Sequence, residues 1–219
     1  MSENRRKLPE TASVAIVQAD GKLHAPSAAR NVEPILQAMR PFVPEAGQAL
    51  EIASGTGEHI MRYAAAFPAL EWQPTDIEEA RLASIDAWAS EARLPNLRPA
   101  RLLDATTANW AADWPEQTVI LFSNLLHLIS ENEALTVLKN TANALHSGGV
   151  ILIYGPFMRG AEFASAGDKR FHESLCGQDP EIGYKLFQWV QEVQAGAGLK
   201  AEPPIEMPAN NLLLVARKP

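Results

Sequence analysis

Several short stretches carry residues able to do chemistry. Glu51-Ile-Ala-Ser-Gly-Thr-Gly57 ends an apolar run and opens an amphipathic one. Gly55 and Gly57 permit a tight turn and close ligand approach. With Ser54 and Thr56 they precede a helix whose free N–H groups favour an anion. Asp76 follows 19 residues after Gly57, Asp104 comes next with Ala105, and Asn124 closes a further apolar run. An ionised carboxylate only accepts hydrogen bonds, so Asp76 suits a pair of hydroxyls and Asp104 an amino group. His127, in Leu-Leu-His-Leu-Ile, could act as a general base or be a satisfied histidine of an apolar segment. Tyr154 ends another apolar run, where it lines a site or joins the core. Arg30 and Asn31, His59, and Asn210 and Asn211 could close over the substrate side, or could cap helices and form turns.

The elements that must position these residues alternate. Strands are expected at Ala49–Ala53, Leu70–Thr75, Leu97–Leu103, Thr118–Ser123 and Val150–Tyr154, with helices over Glu58–Phe67, Ile77–Ala92 and from Ser130 to about Leu145. Ser130 and Glu133 form a Ser-x-x-Glu capping box, and Gly148-Gly149 reads as that helix's stop. Residues 156–180 show no strong period and read as a loop or lid. Ile182–Val193 reads as a helix, and Lys200–Met207 and Leu212–Ala216 as two closing strands, the first made irregular by Pro203-Pro204. A helix over Ser27–Phe42 is either kinked or divided at Pro34. Residues 1–26 read as an N-terminal extension, with a small hairpin about Asp20-Gly21. Residues 27–219 read as a single domain. The fold class is α/β, a doubly wound, Rossmann-like, mostly parallel sheet. Such sheets bind ligands at the carboxyl ends of their strands, which groups Gly55, Asp76, Asp104 and Asn124 around one crevice.

Length and composition agree with this. The chain has 219 residues, 47% of them apolar and 21% charged, enough for a packed core. Its net charge of −7 argues against general nucleic-acid binding. The lone Cys176 excludes an intrachain disulfide, and no stretch approaches the roughly 18 apolar residues of a membrane span. Arg5-Arg6-Lys7 before Val14–Val17 faintly resembles an export leader, but Pro9 and Glu10 interrupt it, so a cytoplasmic location is expected. One cysteine and scattered histidines give no metal-ligand cluster.

The glycine turn lacks the third glycine of a dinucleotide fingerprint, where Ile60 stands, and no Gly-Lys-Ser/Thr marks a P-loop. A phosphate-free adenosine ligand fits better. S-adenosylmethionine carries a cationic end that would welcome Glu51, and a carboxylate suited to the helix N-terminus.

Ala25-Pro-Ser-Ala-Ala-Arg-Asn31, Leu50-Glu-Ile-Ala-Ser-Gly-Thr-Gly-Glu-His59, Trp72-Gln-Pro-Thr-Asp76, Tyr154-Gly-Pro-Phe157 and Met207-Pro-Ala-Asn-Asn211 occur in that order. Together they resemble the DUF938 group of class I S-adenosylmethionine-dependent methyltransferases. The resemblance implies sheet order 3-2-1-4-5-7-6 with strand 7 antiparallel. It also implies a cofactor loop at Glu51, Gly55 and Gly57, a ribose acid at Asp76, an adenine side at Asp104, and Asn124 near the transferred methyl. Ala53 stands where the general loop has its first glycine. The expected activity is methyl transfer by direct displacement to a small-molecule acceptor. A non-catalytic sensor or scaffold that binds S-adenosylmethionine, and a nicotinamide-dependent oxidoreductase, are the competing readings, since fold does not fix function.

Overall fold

In the computed structural model, residues 15–18 and 21–219 are described. Asp20 of the expected hairpin turn and the basic segment at Arg5, Arg6 and Lys7 lie outside them. Ten strands and six α-helices follow in order: β1 (Ile16–Val17), β2 (Leu23–His24), α1 (Pro26–Met39), β3 (Gly47–Ile52), α2 (Glu58–Ala66), β4 (Leu70–Asp76), α3 (Glu79–Ala92), β5 (Arg101–Leu102), β6 (Gln117–Ser123), α4 (Glu131–Ala144), β7 (Leu145–Pro156), α5 (Ala166–Gln178), α6 (Phe187–Gly196), β8 (Lys200–Ala201), β9 (Ile205–Glu206) and β10 (Asn211–Arg217).

The main sheet runs β5-β4-β3-β6-β7-β10-β8, with β9 also paired to β10. Counted along this sheet alone, that is the order 3-2-1-4-5-7-6. Strands β5, β4, β3, β6 and β7 are mutually parallel, and β10 runs antiparallel to β7, with Leu213 opposite Tyr154. The short hairpin β1–β2 stands apart as a two-stranded sheet.

Side chains alternate along a strand, and here the alternation divides the core. Leu50, Ile52, Ile120, Phe122, Ile151 and Ile153 pack with Val137, Leu138 and Val190 of α4 and α6. Ala49, Val119, Leu121, Val150, Leu152 and Tyr154 pack with Ile35, Met39, Ile60, Tyr63 and Ile85 of α1, α2 and α3. Covering both faces explains the nearly unbroken apolar runs in the sequence. Glu51 has the parity of Ala49 and so faces the α1–α3 side.

Four expectations are corrected. Residues 166–178 form α5, not loop: the Ser165 side chain accepts the Asp168 N–H and caps the helix. Its weak apolar stripe, with only Leu175 buried, hid it from a periodicity search. The next helix starts at Phe187 rather than Ile182, because Gly183 takes φ +135° and its N–H is bonded to the His127 carbonyl. Gly148-Gly149 does not stop α4, which ends at Ala144. The glycines sit within β7, where its register against β6 shifts between Gln117 and Val119. The third strand shrinks to Arg101–Leu102, preceded by a single bridge from Leu97 to Trp72. Pro34 lies inside one continuous α1, and Pro203-Pro204 separates β8 from β9.

Among the described residues no helix is long and apolar enough to cross a membrane, and no group of three or more His, Cys, Asp or Glu could hold a metal ion.

The capping box at α4 is complete. Ser130 Oγ accepts the Glu133 N–H, and Glu133 Oε2 accepts the Ser130 N–H at 2.7 Å. Ser130→Ala should cost about 1 kcal/mol, read as a lower denaturant midpoint at constant slope.

Candidate functional site

The carboxyl end of β3 turns sharply into α2. Ala53 and Gly55 both take left-handed φ, +54° and +62°. Glycine does so freely, whereas alanine pays roughly 1–2 kcal/mol. Ala53 in the place of a glycine is therefore a strained residue, not a neutral substitution. Gly57, at φ +95°, is needed for packing as well, since a Cβ there would lie 2.9 Å from Ile85 Cα. It lets α2 and α3 approach closely. Ser54 ties the turn to β4: its N–H donates to the Thr75 carbonyl at 2.8 Å, and its Oγ accepts the Thr75 N–H at 3.2 Å.

Asp76 completes the tie. Its Oδ2 accepts the Gly55 N–H at 2.9 Å, and its Oδ1 accepts the N–H groups of Ile77 at 2.8 Å and Glu78 at 3.1 Å. Burial raises its pKa, opposed by the Arg81 guanidinium and these N–H donors. A carboxylate has about four acceptor positions, so the backbone uses most of them and Oδ2 keeps room for a ligand donor. Arg81 Nη1 lies 3.6 Å from where a Cβ on Gly55 would sit, which sets a cation over the turn.

Beneath the turn, Glu51 is 2% exposed, and its Oε2 has no hydrogen-bond partner. Burial pushes its pKa up to about 8, offset in part by the Ser54 hydroxyl and reinforced by Asp76. Two more buried oxygens near it are unsatisfied, Tyr63 OH and Ser123 Oγ, which face one another without completing a hydrogen bond. Buried polar atoms are rarely left unpaired. Such a group of them, at the carboxyl end of a parallel sheet, makes this the candidate place for a polar occupant.

The residues expected on the substrate side divide. His59 Nε2 and Asn31 Oδ1 are 2.7 Å apart, and the Asn31 side chain also faces the Tyr154 hydroxyl. This joins α1, α2 and the end of β7. His59 further stacks on Tyr63, with ring centroids 5.6 Å apart. Asn124 follows β6 at φ +56°, and its N–H is bonded to the Tyr154 carbonyl at 2.8 Å. Arg30 is exposed on α1. Asn210 leaves this group and donates to Asp168 Oδ2 of α5 at 2.9 Å, while Asn211 bonds the Pro208 carbonyl of its own turn at 3.1 Å. Asp104 follows Leu103, whose N–H is bonded to the Asp76 carbonyl at 3.0 Å. Its Oδ1 accepts the Thr106 N–H at 3.0 Å. Ala105 is buried, with its carbonyl on Trp110 Nε1 at 2.9 Å.

His127 lies in a separate aromatic group. Its ring meets Phe171 of α5 at 5.8 Å and Tyr184 at 6.1 Å. Burial, then the nearby Lys185 ammonium, lowers its pKa to about 3. Burial lowers that of His59 to about 4, opposed by the Ala28 backbone and Glu58.

Sequence reasoning passed over Tyr63, Arg81 and Ser123. Tyr63 stands four residues after His59, the spacing that puts two residues on one helix face. Arg81 and Ser123 carried no local signal, because their partners come from other elements.

Comparison with known proteins bears on the fold. The solved structures that the chain matches include human N-acetylserotonin methyltransferase in complex with S-adenosylmethionine (14% identity, TM-score 0.71, 88% of this chain and 52% of that one). An O-methyltransferase family 2 protein of Planctomyces limnophilus in complex with apigenin matches at 19% identity and TM-score 0.73, over 88% and 60% of the two chains. An O-methyltransferase family protein of Burkholderia thailandensis matches at 17% and 0.72, over 88% and 56%. At these identities the likeness is one of fold, and the chain spans a little over half the length of these proteins. The fold is that of class I methyltransferases. Residues 22–218 match the model of DUF938, a family described as proteins of unknown function, and the chain belongs to that family.

Two outcomes follow from the site. Ala53→Gly should stabilise the protein by about 1 kcal/mol by removing left-handed strain, measured as a raised denaturation midpoint. His59 and His127 should stay neutral in the folded protein at pH 5, seen as ring resonances that do not titrate near 6.5. Their folded pKa values lie below the unfolded value. The stability they confer is therefore complete above about pH 6.5 and falls as the pH drops toward 4 and then 3. Titration of either ring near 6.5 would contradict the burial described.

Proposed function

We propose that this chain is an S-adenosylmethionine-dependent methyltransferase acting on a small-molecule acceptor. The observation that carries the reading is the unpartnered, buried Oε2 of Glu51 beside the glycine turn. A cationic ligand end answers that oxygen. A pyrophosphate would instead hold this carboxyl in its neutral form, so an acid at this position matches a cationic ligand better than a dinucleotide. The O-methyltransferases of the same fold support the choice of chemistry.

When bound, S-adenosylmethionine supplies a sulfonium-activated methyl group for direct displacement by the acceptor, leaving S-adenosylhomocysteine. In this proposal Glu51 takes the ammonium, while Ser54, Gly55, Thr56 and Gly57 hold the backbone against the ligand. Asp76 accepts from the ribose through Oδ2, Asp104 and Ala105 flank the adenine, and Asn124 borders the reacting end. Displacement mainly needs alignment and the removal of water. Tyr154, only 2% exposed and braced by Asn31, suits contact with the acceptor on that end. His59 holds Asn31 in place. His127 is the poorer base, since a group kept neutral with a pKa near 3 has little affinity for a proton at neutral pH. Arg30, Asn210 and Asn211 surround the approach, Asn210 through α5. A cytoplasmic setting is part of the proposal, and the lone Cys176 makes no demand for an oxidising one.

Calorimetric titration tests this. S-adenosylmethionine and S-adenosylhomocysteine should bind and NAD should not. Asp76→Asn should weaken binding about tenfold or more, as losing a charge-assisted hydrogen bond does. Absence of binding by either sulfur ligand to folded, ligand-free protein would overturn the reading. In an acceptor screen, Tyr154→Phe should lower turnover and spare cofactor affinity.

A further inference from the structure

The arm before α1 and the glycine turn share two side chains. The Leu23 N–H donates to Ser84 Oγ at 2.8 Å, and the Ser84 hydroxyl donates onward to the Thr56 carbonyl at 2.7 Å. The Ala25 N–H donates to Glu58 Oε2 at 2.6 Å, and the Thr56 hydroxyl donates to the same oxygen at 3.0 Å. Glu58 Oε1 meets His24 Nδ1 at 2.6 Å. Thr56, in the middle of the turn, is thus held at both its carbonyl and its hydroxyl by groups that also hold the arm. Ser84 is fully buried on α3, and Glu58 opens α2 with its side chain 12% exposed.

The arm has further anchors on α3. Trp88 Nε1 donates to the Leu23 carbonyl at 3.1 Å. Lys22 lies over the Trp88 ring, 4.6 Å from its centroid, and pairs with Glu91. These contacts leave Lys22 and Ala25 buried, while Ile16 and Val17 at the other end of the hairpin are exposed.

We propose that residues 22–25 are a strap on the cofactor loop: the docked arm fixes Thr56 in its ligand-binding geometry, and a bound ligand slows release of the arm. Glu58 and Ser84 are the positioning residues that couple the two. The inference rests on the cofactor reading above and adds to it a control on cofactor residence. A hydroxyl offers one donor and two acceptor positions, so Ser84 can serve arm and turn together only with both in place. By linkage, whatever the docked arm gives to ligand affinity, the ligand returns to docking.

The amides of Leu23 and Ala25 report on docking directly, because each is bonded to a side chain of the coupling pair. Hydrogen exchange at these two amides is measured in the full chain, with and without saturating S-adenosylhomocysteine. Dissociation of S-adenosylhomocysteine is then timed for the wild type, Ser84→Ala, Glu58→Ala and Glu58→Gln. The ligand should slow exchange at both amides about fivefold or more, the lower range of coupling between sites. Ser84→Ala and Glu58→Ala should speed ligand release by a similar factor, and Glu58→Gln, which keeps an acceptor oxygen, should do so less. Ligand binding with unchanged exchange at Leu23 and Ala25 overturns the strap alone. Release from both alanine variants at the wild-type rate also overturns it. A wild-type protein that binds no S-adenosylhomocysteine overturns the cofactor reading, and the strap with it.

Discussion

A carboxyl group buried in a central strand is costly unless something answers its charge, and Glu51 is such a group. Its strand is covered on both faces, and its parity turns it toward α1, α2 and α3 rather than to solvent. Sheet, helices and turn all help to create this condition. The apolar runs of β3, β6 and β7 remove water, and the left-handed turn at Ala53 and Gly55 brings backbone across the strand end. Asp76 then fixes that turn through the Gly55 N–H. What results is a rigid rim around an oxygen left unpaired.

The rim has two sides with different chemistry. Toward β4 and β5 it presents acids whose backbone bonds hold them in place, Asp76 and Asp104. Toward β7 it presents neutral groups, Tyr154, Asn31 and His59. Burial keeps His59 uncharged, so its ring pairs with Asn31 without adding a positive charge there. His127 is equally neutral but belongs to the aromatic packing beneath α5. Two histidines that look alike in the sequence thus serve different parts of the molecule.

Much of the fold was legible in the sequence. Strands β3 and β6 announced themselves as apolar runs, and α4 by its capping box. The sheet order followed from the family resemblance, not from periodicity. α5 was missed because a helix that buries one leucine leaves almost no apolar period, although Ser165 and Asp168 carried its cap. In the site, the glycine turn and Asp76 were legible because each ends a strand. Asn31, His59 and Tyr154 were each identifiable, but their meeting was not, since three separate elements supply them. The same holds for Ser84 and Glu58, whose partners in the arm lie 61 and 33 residues away. Ala53 looked like a mild departure from a motif, and only its φ reveals the strain.

The account turns on a positive ligand group answering Glu51, and this has a proton signature. Without ligand, a carboxyl with its pKa pushed up to about 8 holds its proton at pH 7. An ammonium placed beside it favours the ionised form. Titrating the protein at pH 7 with S-adenosylhomocysteine, in buffers of different ionisation enthalpy, measures the proton exchanged. The account predicts net release on binding, abolished in Glu51→Gln. Binding with no proton exchanged, or with proton uptake, would contradict it.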